Sequence, residues 1–368
     1  MSNSTFDVAI VGAGVVGAAC ADALAREALR VVVLEKDSIA AGATGAAMGH
    51  IVVMDNSEAQ FALTRYSRGL WQQLRPLLPP AVEYDQRGTI WIAEDEEEMA
   101  EVHRKHAFYS DRDVPAEILS PQRLQQLEPN LVRAGFVGGL LVPEDIVLDP
   151  PAATSFLLDR AMSHGAQLLL GHAVTLAANG RVLTDRGTEI AATSIVNAAG
   201  TGSATLTPNL AIRKRKGHLA LADARPGFLH HQLVELGYLK SAHAMDHDSV
   251  AFNVQPRRNG QIVIGSSRQY GSEWPEVDQP ILDRMIERAF KFLPGLAGIP
   301  ILRTWAGFRP APSGSLPVIG PSPSDKSLFI ATGHEGLGIT SSLATGRLVA
   351  DQITGKKSEI PIEPYLPH

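Results

Sequence analysis

The chain has 368 residues, of which 45% are hydrophobic and 20% are charged, and 33 of them are glycine. This composition is typical of a folded α/β protein and excludes a disordered or fibrous one. The formal net charge of −6 comes from residues of both signs. The chain therefore offers no basic field for a nucleic acid, and we expect no nucleic-acid partner.

The only cysteine, Cys20, excludes an internal disulfide, and its place among alanines predicts a small buried side chain. The first predicted strand begins almost at once, at Asp7, without a basic and apolar leader. No run of about eighteen apolar residues follows. We expect a cytoplasmic protein without a metal, and peripheral attachment to the inner membrane stays open.

The amino-terminal stretch predicts a dinucleotide site. Residues 7–11 form an apolar, β-branched run typical of a covered parallel strand. Gly12, Gly14 and Gly17 then give the spacing G-x-G-x-x-G at the start of a helix, whose N–H groups suit a pyrophosphate. A second strand, 31–34, ends at Glu35, whose carboxylate can accept hydrogen bonds from an adenosine ribose. This stretch alone does not decide between FAD and NAD, and small residues at such a turn can also serve packing.

Residues 38–50 are mostly glycine, alanine and threonine. Small residues in series let the backbone run against a flat group, and Thr44 can donate to a phosphate. A flexible linker is the alternative, but Met48 and Ile51 are unlike linker residues. An amphipathic helix is predicted next, over 59–78.

The next 120 residues are predicted to interrupt the nucleotide-binding unit and then resume it. We expect an acidic, solvated helix over 94–106 and a helix capped by Ser120 with Pro121 in its first turn. A buried strand over 194–200 runs into small residues, where the backbone can approach a cofactor a second time. The other elements expected here are strands 88–93, 136–142, 165–174 and 180–185, and a helix from Pro150 through Ser163.

Residues 213–304 alternate in short segments that predict an antiparallel sheet. The turn 258–260 indicates a hairpin. The basic run 213–216 is read as a solvated loop or strand end, with contact to an anionic cofactor or partner as the alternative. Tyr238, Tyr270 and Trp274 are candidates to line a pocket, although core aromatics are the commoner case. The expected strands are 218–222, 238–241, 250–255, 261–266 and 301–308, with a helix over 280–292.

The chain ends in a second strand–glycine–helix unit. Residues 327–332 predict a strand, 333–338 a glycine turn and 339–353 a helix. A second glycine turn favours FAD over NAD, because the long cofactor needs a cradle at each end. The helix N-terminus there can also stabilise an anionic reduced flavin.

At this point the chain resembles the D-amino-acid oxidase superfamily, most of all bacterial D-hydroxyproline dehydrogenases, opine oxidase catalytic subunits and glycine oxidase. The resemblance is carried by VGAGVVGAACADALA with Glu35, by GATGAAMG at 42–49 and SIVNAAG at 194–200, and by WAGFRPAPSGSLPVIGPSP at 305–323 and ATGHEGLGITSSLATG at 331–346. It implies an α/β fold in which a Rossmann-like FAD-binding domain is interleaved with an antiparallel-sheet (α+β) substrate domain. The implied FAD-binding domain comprises 1–80, 145–210 and 310–368, and the substrate-binding domain comprises 81–144 and 211–309.

The resemblance also implies the reaction and its residues. An amino acid would be oxidised at its C–N bond by hydride transfer to flavin N5, with the substrate carboxylate on Arg309, since a guanidinium binds a carboxylate bidentately. A structural ion pair is the alternative for Arg309. His50 is the second catalytic candidate, as a proton or hydrogen-bond acceptor, or else a structural histidine. Substrate contacts are expected from Arg309, His50, Tyr238 and Gly336. Cofactor contacts are expected from Gly12, Gly14, Val16, Gly17, Glu35, Lys36, Thr44, Ala46, Ala47, Gly49, Val174, Ala199, Gly200, Arg309, Gly333, His334, Gly336, Leu337, Gly338, Ile339 and Thr340.

Two departures from the family pattern refine these expectations. Glu335 and Gly336 replace the aromatic residue and arginine of the glycine oxidase turn, which leaves room for a ring or a larger side chain. No cysteine follows Cys20, so the FAD should be noncovalent. A cyclic or D-amino acid such as cis-4-hydroxy-D-proline is the first choice of substrate. The first alternative is a flavin subunit of an opine or glycine/sarcosine-type oxidase complex. The last alternative is an NAD-dependent dehydrogenase. The electron acceptor (oxygen, a quinone or an iron–sulfur partner) and assembly as a homo-oligomer or a heteromer stay open.

Overall fold

The computed structural model describes residues 5–237 and 248–367. Its strands are β1 (Thr5–Val11), β2 (Val31–Glu35), β3 (His50–Ile51), β4 (Thr89–Ala93), β5 (Glu117–Leu119), β6 (Gly138–Val142), β7 (Ile146–Val147), β8 (Gln167–Leu170), β9 (Val174–Ala178), β10 (Arg181–Thr184), β11 (Glu189–Asn197), β12 (Ile212–Ala222), β13 (Gln232–Glu235), β14 (Ser249–Pro256), β15 (Ile262–Arg268), β16 (Ile301–Pro312), β17 (Val318–Pro321) and β18 (Leu328–Thr332). Its helices are α1 (Val15–Ala25), α2 (Glu58–Leu74), α3 (Glu96–Ser110), α4 (Pro121–Leu127), α5 (Pro150–Ser163), α6 (Ser203–Leu206), α7 (Gln279–Phe292) and α8 (Gly338–Thr354).

The first sheet is mainly parallel and follows the order β17-β18-β11-β1-β2-β8, with β10 and β9 added beside β11. The pairs β18–β11, β11–β1, β1–β2 and β2–β8 are all parallel. Its central strands are apolar on both faces because helices cover one face and β9 and β10 shield part of the other. Helix α1 packs against α8 at a glycine, because a Cβ on Gly346 would lie 2.4 Å from the Ala19 carbonyl oxygen.

The second sheet is mainly antiparallel and follows the order β16-β12-β15-β14-β13-β4-β6-β5. Helix α7 packs on one face through an apolar core that includes Phe252, Ile264, Met285 and Phe292. The opposite face of the sheet meets the 44–49 segment of the first unit, where Met48 packs against Leu219 and Val263. The fold class predicted from the sequence is confirmed, whereas the domain boundaries stay a prediction.

Most predicted elements form, with three corrections. The segment 165–174 is not one strand, because the chain turns at Gly171 (φ +72°) between β8 and β9. The helix expected to be solvated buries Glu98 and Lys105, and Lys105 forms an ion pair with Asp55. Strands β3, β5, β7, β13 and β17 were not predicted. The expected strand 238–241 lies outside the described residues.

Two smaller sequence predictions are confirmed. Cys20 is buried, and burial raises its thiol pKa to about 12. Ser120 caps α4 by accepting a hydrogen bond from the Arg123 N–H at 3.2 Å. Among the described residues, no helix combines the length and the apolar character needed to cross a bilayer.

Candidate active site

Three glycine turns lie side by side at one edge of the first sheet. The turn at Gly12 follows β1, the turn at Gly200 follows β11, and the turn at Gly333 follows β18. Because these strands are parallel neighbours, their carboxyl ends meet at the same edge, about 4.8 Å apart. Glu35, at the end of β2, continues the row. This is the edge at which open α/β sheets bind nucleotides.

The helices that follow these turns lack the side-chain caps found on the other α-helices of the described residues. The capping residues of α2, α3, α4, α5 and α7 each accept a hydrogen bond from a first-turn N–H. No side chain caps α1, α6 or α8. First-turn N–H groups have no acceptor within the helix, and so these starts suit an anionic group such as a pyrophosphate. The capping residues are Ser57, Asp95, Ser120, Asp149 and Asp278.

The first turn leaves no room for side chains at two of its glycines. A Cβ on Gly12 (φ +107°) would lie 2.6 Å from the Ala198 carbonyl oxygen, and one on Gly17 would lie 1.9 Å from the Gly12 carbonyl oxygen. Thr44 Oγ1 accepts a hydrogen bond from the Val15 N–H at 3.1 Å, which leaves the hydroxyl hydrogen to donate elsewhere. Gly14 faces this hydroxyl, and Val16 belongs to the first turn of α1.

Glu35 is held at the same edge by the backbone. Its Oε2 accepts a hydrogen bond from the Ala13 N–H at 2.8 Å, and its Oε1 accepts one from the Asp37 N–H at 2.9 Å. Lys36 is exposed and lies 3.3 Å from Asp37. Val174 begins β9 just past the end of β8, which is the strand that pairs with β2. Glu35 is therefore fixed at the edge, whereas Lys36 is directed towards solvent.

The central turn is tied to the last turn by a hydrogen bond. Ala199 and Gly200 (φ +56°) follow β11, and the Thr332 hydroxyl donates a hydrogen bond to the Gly200 carbonyl oxygen at 3.2 Å. Since Thr332 is the last residue of β18, this bond fixes two neighbouring turns of the row.

The small-residue segment 44–49 packs against the second sheet at two of its glycines. A Cβ on Gly307 would lie 2.3 Å from the Ala46 Cβ, and one on Gly265 would lie 3.1 Å from Met48 Sδ. The Trp305 indole N–H donates to the Ala46 carbonyl oxygen at 3.3 Å. Ala47 borders a cleft of about 250 Å³ that Trp305 also lines.

Position 49 requires a glycine, both for its backbone conformation and for lack of space. Its φ is +100°, and a Cβ there would lie 2.1 Å from the Leu148 carbonyl oxygen. The next residue, His50, is thereby set in β3, which pairs with β7.

Arg309 lies on the face of the second sheet that meets the first unit. Its guanidinium lies over Gly217, where a Cβ would be 2.5 Å from Nη2, and its Nη1 donates to the Ser267 carbonyl oxygen at 3.0 Å. On the other side, a Cβ on Gly336 would lie 3.9 Å from Arg309 Cδ and Nε. Arg309 is half-buried, so two glycines and one carbonyl set the direction of the side chain.

His50 stands close to Arg309. Burial and, to a smaller extent, the charge of Arg309 lower the His50 pKa to about 4, although a hydrogen bond with the Gly336 backbone acts in the opposite direction. The imidazole is therefore neutral near pH 7. Its buried Nδ1 has no hydrogen-bond partner among the described residues. The Thr340 hydroxyl donates to the His50 carbonyl oxygen at 3.0 Å, which ties this backbone to the start of α8.

The last turn contacts the site through its backbone. Gly333 has φ +79°, and Gly336 and Leu337 belong to the 3-10 turn Glu335–Leu337. His334 points away, since its Nε2 lies 2.9 Å from Thr345 Oγ1 and burial lowers its pKa to about 4. The Ile339 side chain joins the core, and its carbonyl oxygen accepts a hydrogen bond from the Trp71 indole N–H at 3.3 Å. Gly338 opens α8.

Residues not predicted from the sequence complete the site. Arg215 forms an ion pair with Glu335, and Arg268 Nε lies 3.6 Å from the same carboxylate oxygen. Glu335 has φ +48°, which is uncommon for glutamate, and the ion pair holds it to the second sheet. The run 213–216 lies at the start of β12, as the strand-end prediction has it, but its second half is not solvated, because Arg215 is largely covered and Lys216 is buried.

The three aromatic residues that were candidates to line a pocket have different positions. The Arg215 guanidinium lies 4.8 Å from the centre of the Tyr270 ring, so Tyr270 is adjacent to the site. Trp274 is 74% exposed, and the expectation that it is a core or pocket residue is wrong. Tyr238 lies outside the described residues.

Comparison with known proteins agrees with this geometry. The family model described as FAD dependent oxidoreductase (DAO) matches residues 7–352. The glycine oxidase of Geobacillus kaustophilus is 27% identical over 378 residues, which cover 98% of this chain and 96% of that protein. The crystal structure of glycine oxidase from Geobacillus kaustophilus gives a TM-score of 0.89 at 26% identity, with 98% of each chain covered. The crystal structure of L-proline dehydrogenase from P. horikoshii also gives 0.89, at 23% identity over 99% and 97% of the chains, which shows the shared fold.

The residues at the sheet edge fit FAD. Two uncapped helices of at least eleven residues, α1 and α8, begin at the two ends of the glycine-turn row, and an acid follows on the next strand. A long dinucleotide has two ends to accommodate, and the family match removes the NAD alternative. The chain belongs to the DAO family of FAD dependent oxidoreductases, and FAD is its cofactor.

Proposed function

We propose that this enzyme oxidises the C–N bond of an amino acid whose carboxylate binds Arg309, and that its substrate is a D-amino or cyclic imino acid such as cis-4-hydroxy-D-proline. The observation that carries the proposal is the convergence of Arg309, His50 and Gly336 beside the last glycine turn. Glycine oxidase relatives support an amino acid substrate. The choice of a ring substrate rests on the resemblance and on the glycine at 336.

Arg309 would bind and orient the substrate. A guanidinium presents five N–H donors in a planar fork and can form two parallel hydrogen bonds with a carboxylate. The Ser267 carbonyl oxygen accepts from one Nη1 hydrogen and limits rotation of the fork. A carboxylate held in one direction places the neighbouring carbon in one direction as well, which is an entropic contribution to rate.

His50 would act as a hydrogen-bond acceptor. With a pKa of about 4 it is a weak base, and it cannot efficiently remove a proton from an ammonium group near neutral pH. Its unpartnered Nδ1 can accept a hydrogen bond from a substrate N–H or from a ring hydroxyl. A buried ring nitrogen with no partner among the described residues favours a substrate role for His50 over a purely structural one.

FAD, when bound, supplies a ring that accepts a hydride from the carbon next to the nitrogen. The glycine turns at Gly12, Gly200 and Gly333 would hold it through backbone N–H groups, with Glu35 on the ribose. The 44–49 segment would face the flavin and help to exclude water from it.

The decisive experiment is anaerobic bleaching of the yellow protein by a substrate panel. The panel contains D- and L-proline, cis-4-hydroxy-D-proline, trans-4-hydroxy-L-proline, glycine, sarcosine, octopine and nopaline. We expect the fastest bleaching with cis-4-hydroxy-D-proline. Arg309→Ala should keep the yellow colour and lose most of the bleaching, whereas Arg303→Ala, which removes an exposed arginine of the same strand, should bleach normally. If Arg309→Ala bleaches as wild type does, the carboxylate site is elsewhere.

One observation favours a second candidate, an opine. Octopine and nopaline carry more than one carboxylate, and Arg215 and Arg268 stand beside the same turn as Arg309. Bleaching by either opine and not by the prolines would select this candidate. The same reduced protein, mixed with oxygen or with an artificial acceptor, would distinguish an oxidase from a dehydrogenase.

A further inference from the structure

His218 occupies a buried position behind the site. It is the residue after Gly217 in β12, so its side chain points to the sheet face opposite Arg309, where α7 packs. The backbone N–H of Asp278, the capping residue of α7, donates to His218 Nε2 at 3.0 Å. Because Nε2 accepts, the single hydrogen of the neutral ring lies on Nδ1.

The Nδ1–H of His218 donates to Ser267 Oγ at 2.8 Å, and the His218 backbone N–H donates to the same oxygen at 2.9 Å. The carbonyl oxygen of Ser267 accepts from Arg309 Nη1 at 3.0 Å on the other side of the sheet. Hydrogen bonds on either side of Ser267, linked through the covalent bonds of that residue, therefore join the start of α7 to the guanidinium. Burial, followed by the charge of Lys216, lowers the His218 pKa to about 4 and keeps the ring neutral, and the N–H of Asp278 selects the tautomer.

We propose that His218 is a positioning residue for substrate recognition: it fixes Ser267, and the Ser267 carbonyl oxygen fixes the direction of the Arg309 guanidinium. The proposal rests on the proposed function of Arg309. A histidine that only anchors α7 to the sheet would affect stability and leave ligand affinity unchanged. A positioning residue changes the affinity for the carboxylate in the folded, FAD-loaded protein.

Three variants separate these roles. His218→Asn keeps an N–H donor at the place of Nδ1 and loses the acceptor for Asp278. His218→Gln loses the donor at the place of Nδ1. Ser267→Ala removes the hydroxyl and keeps the carbonyl oxygen. Because it is the smallest of the three changes, it still tests the proposal if a His218 variant does not fold.

The readout is the calorimetric dissociation constant of pyrrole-2-carboxylate, a planar ring carboxylate that cannot be oxidised in the same way, for each FAD-loaded variant. We expect about ten-fold weaker binding for His218→Gln and Ser267→Ala, a rise in KM larger than the fall in kcat, and binding within about two-fold of wild type for His218→Asn. FAD content and melting temperature verify folding.

Unchanged affinity in His218→Gln and Ser267→Ala would overturn the inference. So would an equal loss in His218→Asn, because the donor to Ser267 would then not matter. Arg309→Lys is measured in parallel. If that variant also binds pyrrole-2-carboxylate as wild type does, the proposed role of Arg309 fails, and the two failures are distinguishable.

Discussion

Replacement of Gly217 by alanine tests the placement of Arg309 without altering any functional group. The new Cβ would lie 2.5 to 2.7 Å from three atoms of the guanidinium, whereas ordinary contacts begin at 3.4 Å. The guanidinium must therefore retreat by about 0.9 Å, a displacement that can cost on the order of a hundred-fold in rate when it misaligns a reacting group. We expect kcat/KM to fall about ten- to hundred-fold, which corresponds to about 1.4–2.7 kcal/mol.

Stability should change little in the same variant. The clash involves the far end of a flexible side chain, and Gly217 does not have a positive φ. Alanine also reduces the conformational entropy of the unfolded chain, which contributes about 0.4–1 kcal/mol in its favour. The free energy of unfolding, measured by urea denaturation, should stay within about 1 kcal/mol of wild type.

The assay is steady-state kinetics with the substrate that bleaches the protein fastest, together with FAD content. Gly69→Ala is the matched control, because it lies in α2 and a Cβ there meets no atom within 4 Å. Wild-type kcat/KM in Gly217→Ala would refute the reasoning, since the methyl group and the guanidinium cannot both keep their present places.

Four further outcomes follow from the structure. The buried imidazole of His334 has a pKa of about 4 in the folded protein, so the unfolded chain binds the proton more readily and the free energy of unfolding should be about 2 kcal/mol lower at pH 5 than at pH 8. In urea titrations, His334→Gln should lose less stability than wild type between these two pH values. An equal loss in both proteins would contradict this. A double-mutant cycle on Arg215→Met and Glu335→Gln should give a coupling of about 1–3 kcal/mol in unfolding, and additive effects would show that the ion pair contributes nothing. Gly17→Ala should yield colourless protein, because backbone blocks the new Cβ; a yellow product would show that the turn relaxes. Acid precipitation should release all the FAD into the supernatant, and colour left in the pellet would indicate a covalent bond.

The glycine turns could be predicted from the sequence because their signals are local. Gly12, Gly14 and Gly17 lie within six residues of sequence, and the turn at Gly333 is recognisable because it lies between an apolar run and a helical pattern. What the sequence does not show is that these turns become neighbours, because that depends on the order of strands that lie far apart in the chain.

Arg309 was predicted from the resemblance to the family, whereas the residues that surround it could not be predicted from the sequence, for a physical reason. Gly217 and Ser267 contact Arg309 only because β12 pairs with both β16 and β15 in one register. A shift of one residue would turn these side chains to the other face, and no local pattern encodes that choice. Arg215 is likewise covered by a carboxylate 120 positions away, which a run of basic residues cannot reveal.

The row of turns at the sheet edge has a consequence for how the protein is made. Its middle strand, β11, is contributed by residues near 190 and its outer strand, β18, by residues near 330, while β1 leaves the ribosome first. A nascent chain that stops short of β18 has no second cradle, and pairings between such distant segments form slowly. We therefore expect FAD to bind stably only once β18 has been synthesised, and a chain truncated before Leu328 should be colourless although it keeps every residue of the turn at Gly12.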